Sequence, residues 1–135
     1  MDEMKYINTI SLSFIVIRTM NVESTLSFYS ALGMKFIEEQ HGSSNLAHHA
    51  CNLGNIVLEI YPYQATLVNP ENKQKMGAES MFGFNVTSLE KTLCNLEKLG
   101  IKSKISSKVK NSERRASVTD PDGRVILLTE ISSID

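Results

Sequence analysis

Tryptophan is absent from the 135 residues, cysteine occurs twice and proline three times. Two cysteines cannot make a disulfide scaffold. Neither Cys51 nor Cys94 belongs to a C-x-x-C pair, so both are expected as reduced core thiols rather than a bridge or a metal site. Seven glycines and three prolines exclude collagen-like and low-complexity chains. Charge of one sign is also missing. Fourteen Lys and Arg against fifteen Asp and Glu leave a net charge of −1, with no basic excess to meet a phosphate backbone, so nucleic acid is not an expected partner. The longest strictly apolar runs, such as Phe14 to Ile17 and Ile126 to Leu128, fall far short of the roughly 20 residues of a membrane span. Asp2 and Glu3 open the chain with nothing like a signal peptide, and a cytoplasmic, membrane-free protein is expected. What is present is a 41% apolar composition. A chain this long buries about two-thirds of its unfolded surface, enough for one domain over residues 1–135 without staples.

The chain repeats itself. Thr25 to Lys35 aligns with Thr92 to Lys102 at a constant offset of 67, with five of eleven positions identical (Thr, Leu, Leu, Gly, Lys). The offset also sets Phe14 to Arg18 over Met81 to Asn85. Each half then reads as a strand, a helix and three strands. In the first, Ser11 to Thr19 is strand-like, Val22, Leu26, Tyr29 and Leu32 fall at helical spacing, and Gly33 stops the helix. Strand segments follow at Met34 to His41, Ala47 to Leu53 and Ile56 to Tyr63. In the second, the strand is Met81 to Val86, the helix carries Leu89, Leu93, Leu96 and Leu99, and Gly100 is the stop. Its strands are Ile101 to Ser106, Arg114 to Thr119 and Arg124 to Ile131. Thr87 to Glu90 suits a capping box, although the offset sets Asn21 over Ser88 and leaves the capping residue open. Module one covers about 8–63, a connection about 64–79 and module two about 80–132. Gly54-Asn55 and Pro121-Asp122-Gly123 read as hairpin turns.

Alternation along strands separates the two faces. Ile56, Leu58 and Ile60 suit a helix above them, leaving Val57, Glu59, Tyr61 and Tyr63 opposite. Phe82, Phe84 and Val86 do the same in module two, leaving Met81, Gly83 and Asn85. A tight turn at Gly54-Asn55 sets Ala50 opposite Glu59 and His48 opposite Tyr61, and the second turn sets Ser117 and Arg115 beside Leu127. If the two sheets lie side by side, Phe14, Val16, Tyr61, Met81 and Leu127 line one apolar concavity. Its polar groups are Arg18, His48, Glu59, Asn85 and Arg115, a composition suited to a small-molecule pocket. Neighbouring His48 and His49 point to opposite faces and cannot chelate one ion together. His41 reads as a turn residue, and the lysines between Lys102 and Lys110 as a solvated edge that blocks strand pairing.

The stretch Arg18 to Tyr29 running into Ala31-Leu32-Gly33-Met34, together with Asp120-Pro121-Asp122-Gly123, resembles the vicinal oxygen chelate superfamily. That superfamily includes glyoxalases, extradiol dioxygenases and metal-free bleomycin resistance proteins. The resemblance covers nearly the whole chain. It implies an α+β fold of paired βαβββ modules, eight strands curled around a cavity with two main helices outside, and a homodimer. The catalytic relatives hold one divalent metal with His and Glu ligands on four strands. At the corresponding positions this chain has Phe14, Glu59, Met81 and Leu127, so the expectation is no metal and no cofactor.

Three readings follow. In the first, a metal-independent protein sequesters a small amphipathic molecule in the manner of the bleomycin resistance branch, with Glu59 anchoring a cationic one. In the second, an enzyme of the superfamily acts on a small carbonyl or aromatic substrate. There Glu59 is base or residual metal ligand, and His48 or Arg115 assists. In the third, the pocket is vestigial and the fold is an interaction module.

Overall fold

The computed structural model describes residues 9–40, 47–63, 81–106 and 113–131. His41 and the connection from Gln64 to Glu79 lie outside them. Ten elements follow in order: β1 (Phe14–Thr19), α1 (Val22–Ala31), β2 (Ile37–Glu39), β3 (His48–Asn52), β4 (Val57–Pro62), β5 (Met81–Val86), α2 (Leu89–Lys98), β6 (Lys104–Ile105), β7 (Glu113–Thr119) and β8 (Val125–Ile131). They form two four-stranded sheets of identical topology, β1-β4-β3-β2 and β5-β8-β7-β6. This is the paired βαβββ architecture, and every expected strand and helix is present, most with shorter ends, β5 with the expected bounds and β7 starting one residue earlier.

Each helix begins on a side-chain cap. The Asn21 side chain accepts from the Ser24 amide at 3.1 Å, and Ser88 Oγ accepts from the Lys91 amide at 3.1 Å. Ser88 is therefore the cap, which puts Lys91 rather than Glu90 at the third helical position, and the capping box does not form. A distant carboxylate serves instead: Leu89 N donates to Glu130 Oε1 at 2.7 Å. Both helices end as expected, with Gly33 and Gly100 at positive φ.

One apolar core joins the modules. Ile17, Phe28, Leu58 and Ile60 from module one are buried with Leu96, Ala116, Ile126 and Leu128 from module two. Tyr29 is fully buried and meets Phe84 edge to face at 6.4 Å. Cys51 is a buried free thiol, as expected. Cys94 is free but exposed, because it falls on the solvent side of α2.

The turn Asp120-Pro121-Asp122-Gly123 closes through the Asp120 amide, which donates to the Arg124 carbonyl at 2.9 Å. Its buried carboxylate is fully used. Oδ1 accepts from the amides of Asp122 and Arg124, and Oδ2 accepts from Tyr29 Oη at 2.6 Å and Arg124 Nη1 at 3.0 Å. Arg124 also donates to Asp122 at 2.8 Å and, across the modules, to the Arg18 carbonyl at 2.8 Å. Burial alone would lower the guanidinium's pKa, but the hydrogen bonds to Asp122 and Asp120 overcome it and raise it.

Burial pushes the Tyr29 phenol well above its ordinary value, and the hydrogen bond to Asp120 adds to the shift. The raised pKa favours the neutral phenol in the folded state. Its contribution to stability is therefore complete below the unfolded value of about 10 and is lost as pH rises beyond it. Denaturant unfolding of the native protein should show a steeper loss of stability between about pH 9 and 11 than Tyr29→Phe. Equal slopes would contradict this assignment.

Candidate functional site

Strand pairing determines which side chains share a face. In the first sheet, Val16 lies opposite Glu59 and Arg18 opposite Tyr61. Ala50 pairs with Glu59 as expected, and His48 follows opposite Tyr61. On the far side Glu39 pairs with His48 and Ile37 with Ala50. The face away from the helix therefore carries two rows: Val16, Glu59, Ala50 and Ile37 in one, and Arg18, Tyr61, His48 and Glu39 in the other.

The second row is stacked. The His48 ring lies flat on Tyr61, with centroids 4.3 Å apart and planes 7° off parallel, and the Arg18 guanidinium carbon is 5.6 Å from the centre of the same ring. His48 is only 2% exposed. Its Nε2 sits 3.2 Å from Glu59 Oε2. Desolvation, and then the negative Glu59, push the Tyr61 phenol upward. Phe14 is 55% exposed at the open end of this face, beside the half-exposed Val16.

The matching face of the second sheet holds Met81, Gly83 and Asn85 on β5, Leu127 and Thr129 on β8, and Arg115 and Ser117 on β7. A hollow of about 490 Å³ there is lined by Lys104, Ser106, Arg115, Ser117 and Leu127, among others. Met81 is 65% exposed. A separate groove of about 680 Å³ runs between α2 and β6, past Leu93, Cys94 and Ile105, and holds none of the expected site residues.

All ten expected site residues thus lie on the two faces opposite the helices. Phe14, Val16, Arg18, His48, Glu59 and Tyr61 share one sheet, and Met81, Asn85, Arg115 and Leu127 the other. Among the described residues no strand pairing joins the two sheets. Of the two residues expected to assist Glu59, His48 lies against it, whereas Arg115 pairs with Glu113 at 2.8 Å, two residues away on its own strand. His49 points to the opposite face, with Nε2 3.7 Å from Glu38. Sequence reasoning missed Glu39. The acidic doublet Glu38-Glu39 and the doublet His48-His49 were visible, but the loop signal between them, Gly42-Ser43-Ser44-Asn45, is too long to set a register as a two-residue turn does.

The four positions at which catalytic relatives hold a metal do not fit one here. Phe14, Met81 and Leu127 offer a phenyl ring, a thioether and an isobutyl group. Only Glu59 is a donor suited to a borderline ion.

Two four-stranded sheets of one topology, each backed by a helix and each with an open face, define a paired βαβββ protein. The family model of the Glyoxalase/Bleomycin resistance protein/Dioxygenase superfamily matches residues 11–128, and the chain belongs to that superfamily. Comparison with curated proteins finds no match. Among solved structures, a glyoxalase family protein of Bacillus anthracis superposes with a TM-score of 0.64 at 22% identity, covering 94% of this chain and 98% of that one. TnmS3, an antibiotic binding protein from Streptomyces sp. CB03234, gives 0.64 at 19% identity, covering 93% and 99%. The oxidase ChaP-H2 gives 0.65 at 12% identity, covering 93% and 96%. At these identities the likeness is one of fold.

Proposed function

We propose that the protein sequesters a small amphipathic molecule on these faces, using no metal at the four family positions. The observation that carries the reading is the open face of the first sheet, where exposed Phe14 and Val16 adjoin the partly buried Glu59 carboxylate. An apolar body would be held by desolvation and a cationic end by Glu59. The antibiotic-binding activity named for TnmS3 supports the same reading by analogy of fold.

We also infer a homodimer. Exposed Phe14, Val16, Ile37 and Met81 place apolar side chains on both open faces, and a second copy would take them out of water. A second copy can set the first face against the second and close the cavity. Among the described residues no helix is long and apolar enough to cross a membrane.

The test is a thermal-shift screen of planar hydrophobic amines and neutral analogues on chelator-treated protein. At 100 times Kd a ligand stabilises by about 2.7 kcal/mol, and a variant that binds a hundredfold more weakly retains about 0.4 kcal/mol. Cationic hits should behave so in Glu59→Gln, while neutral hits keep their shifts. Equal shifts of the cationic hits in both proteins would remove Glu59 as the anchor, and no hits at all would remove the binding function.

A second reading is favoured by the His48–Glu59 contact. A carboxylate 3.2 Å from an imidazole is an arrangement that can hold or move a proton. Turnover of small carbonyl or aromatic substrates, lost in Glu59→Gln, would establish it over sequestration.

A further inference from the structure

Glu39, His48 and Glu59 come from three adjacent strands, β2, β3 and β4, and point to one place. One ligand atom from each lies within 4.8 Å of the other two. The imidazole is almost wholly buried and its plane is held by the parallel Tyr61 ring. Glu59 is 18% exposed in its side chain, with Oε2 already 3.2 Å from His48 Nε2. Two carboxylates gathered around a buried imidazole on a partly desolvated face repel each other, and a doubly charged cation neutralises both.

We propose that these three side chains form a divalent metal site of the zinc class. One imidazole nitrogen and two carboxylate oxygens are ligands that zinc accepts, and three protein ligands leave a fourth coordination position open. Magnesium and calcium prefer sets made wholly of oxygen and do not match an imidazole corner. The stacked Tyr61 orients the ligating ring, a role that outer-shell groups commonly fill. This set lies in module one alone and shares only Glu59 with the four family positions, which span both modules. It goes beyond the sequestration reading and beyond the expectation that no metal binds. An organic cation and a metal ion are alternative occupants of this corner, and only the metal requires the imidazole lone pair.

Chelator-stripped protein should take up one zinc ion per chain from ZnCl₂ in a calorimetric titration, undisturbed by millimolar magnesium. Cobalt(II) should give a visible absorption band that zinc displaces. Glu39→Gln, at the sheet edge where folding is least at risk, should weaken zinc about tenfold, and Glu59→Gln and His48→Gln about a hundredfold. Glu38→Gln, beside His49 on the opposite face, should leave affinity unchanged. Absence of stoichiometric zinc uptake, or uptake that Glu39→Gln and Glu59→Gln leave within about twofold, would overturn the site. The amine screen on stripped protein reads the sequestration function separately, so either result can fail without the other.

Discussion

Replacing Asp120 with alanine is expected to cost about 3 kcal/mol of stability and to lower Tm by roughly 10 °C. Asp120 is 3% exposed and its carboxylate accepts four hydrogen bonds, which tie the β7–β8 turn to Tyr29 in α1 and to Arg124. Its loss strands the Tyr29 hydroxyl and takes one of two carboxylates from a buried guanidinium. Breaking a buried ion pair on one side usually costs about 3–5 kcal/mol, because the remaining charge cannot return to water. Asp122 still holds Arg124 at 2.8 Å, which places the expected loss at the lower end. Asp120→Asn keeps an acceptor and should lose less. Equilibrium unfolding in urea checks both, and a loss under about 1 kcal/mol in the alanine variant would show that the turn does not lock the modules.

Phe14→Asp should convert the proposed dimer to monomer at micromolar concentration. In a covered interface the new carboxylate is stripped of water with no partner, a penalty of about 3 kcal/mol or more, which raises the dimer dissociation constant roughly a hundredfold. Met81→Asp, on the other open face, should do the same. Their matched effect is the signature of one face meeting the other across two copies. Sedimentation velocity at several concentrations decides. A native protein that sediments as monomer, or variants that remain dimeric, would remove the proposed interface. Fold is not at stake in either variant, since both side chains are more than half exposed in the single chain.

The duplication, the strand–helix–three-strand order and the facing of nearly every strand were legible from residues alone. The reason is that they depend on local chemistry. Period-two alternation orients side chains whatever the fold, and short turns at Gly54-Asn55 and Asp120 to Gly123 set the β3–β4 and β7–β8 registers with no freedom to slip. Thus Ala50 against Glu59 and Ser117 against Leu127 could be counted outward from the turns and are found in the structure. Contacts over longer separations could not be counted in this way. Tyr29 was recognisable as core, but not as the donor to Asp120 91 residues later. The sequence between Glu39 and His48 offers no two-residue turn from which their pairing could be counted, and Arg115 pairs with Glu113 on its own strand. The capping residue of α2 was settled by where the helix begins, and Glu130, 41 residues away, supplies the acceptor that the local Glu90 was expected to be. Sequence alone determined the elements and their faces, because those follow from nearest-neighbour sterics and short loops. Tertiary structure decided which charged groups meet, because burial lets a polar group pair with whatever partner the folded chain brings within reach.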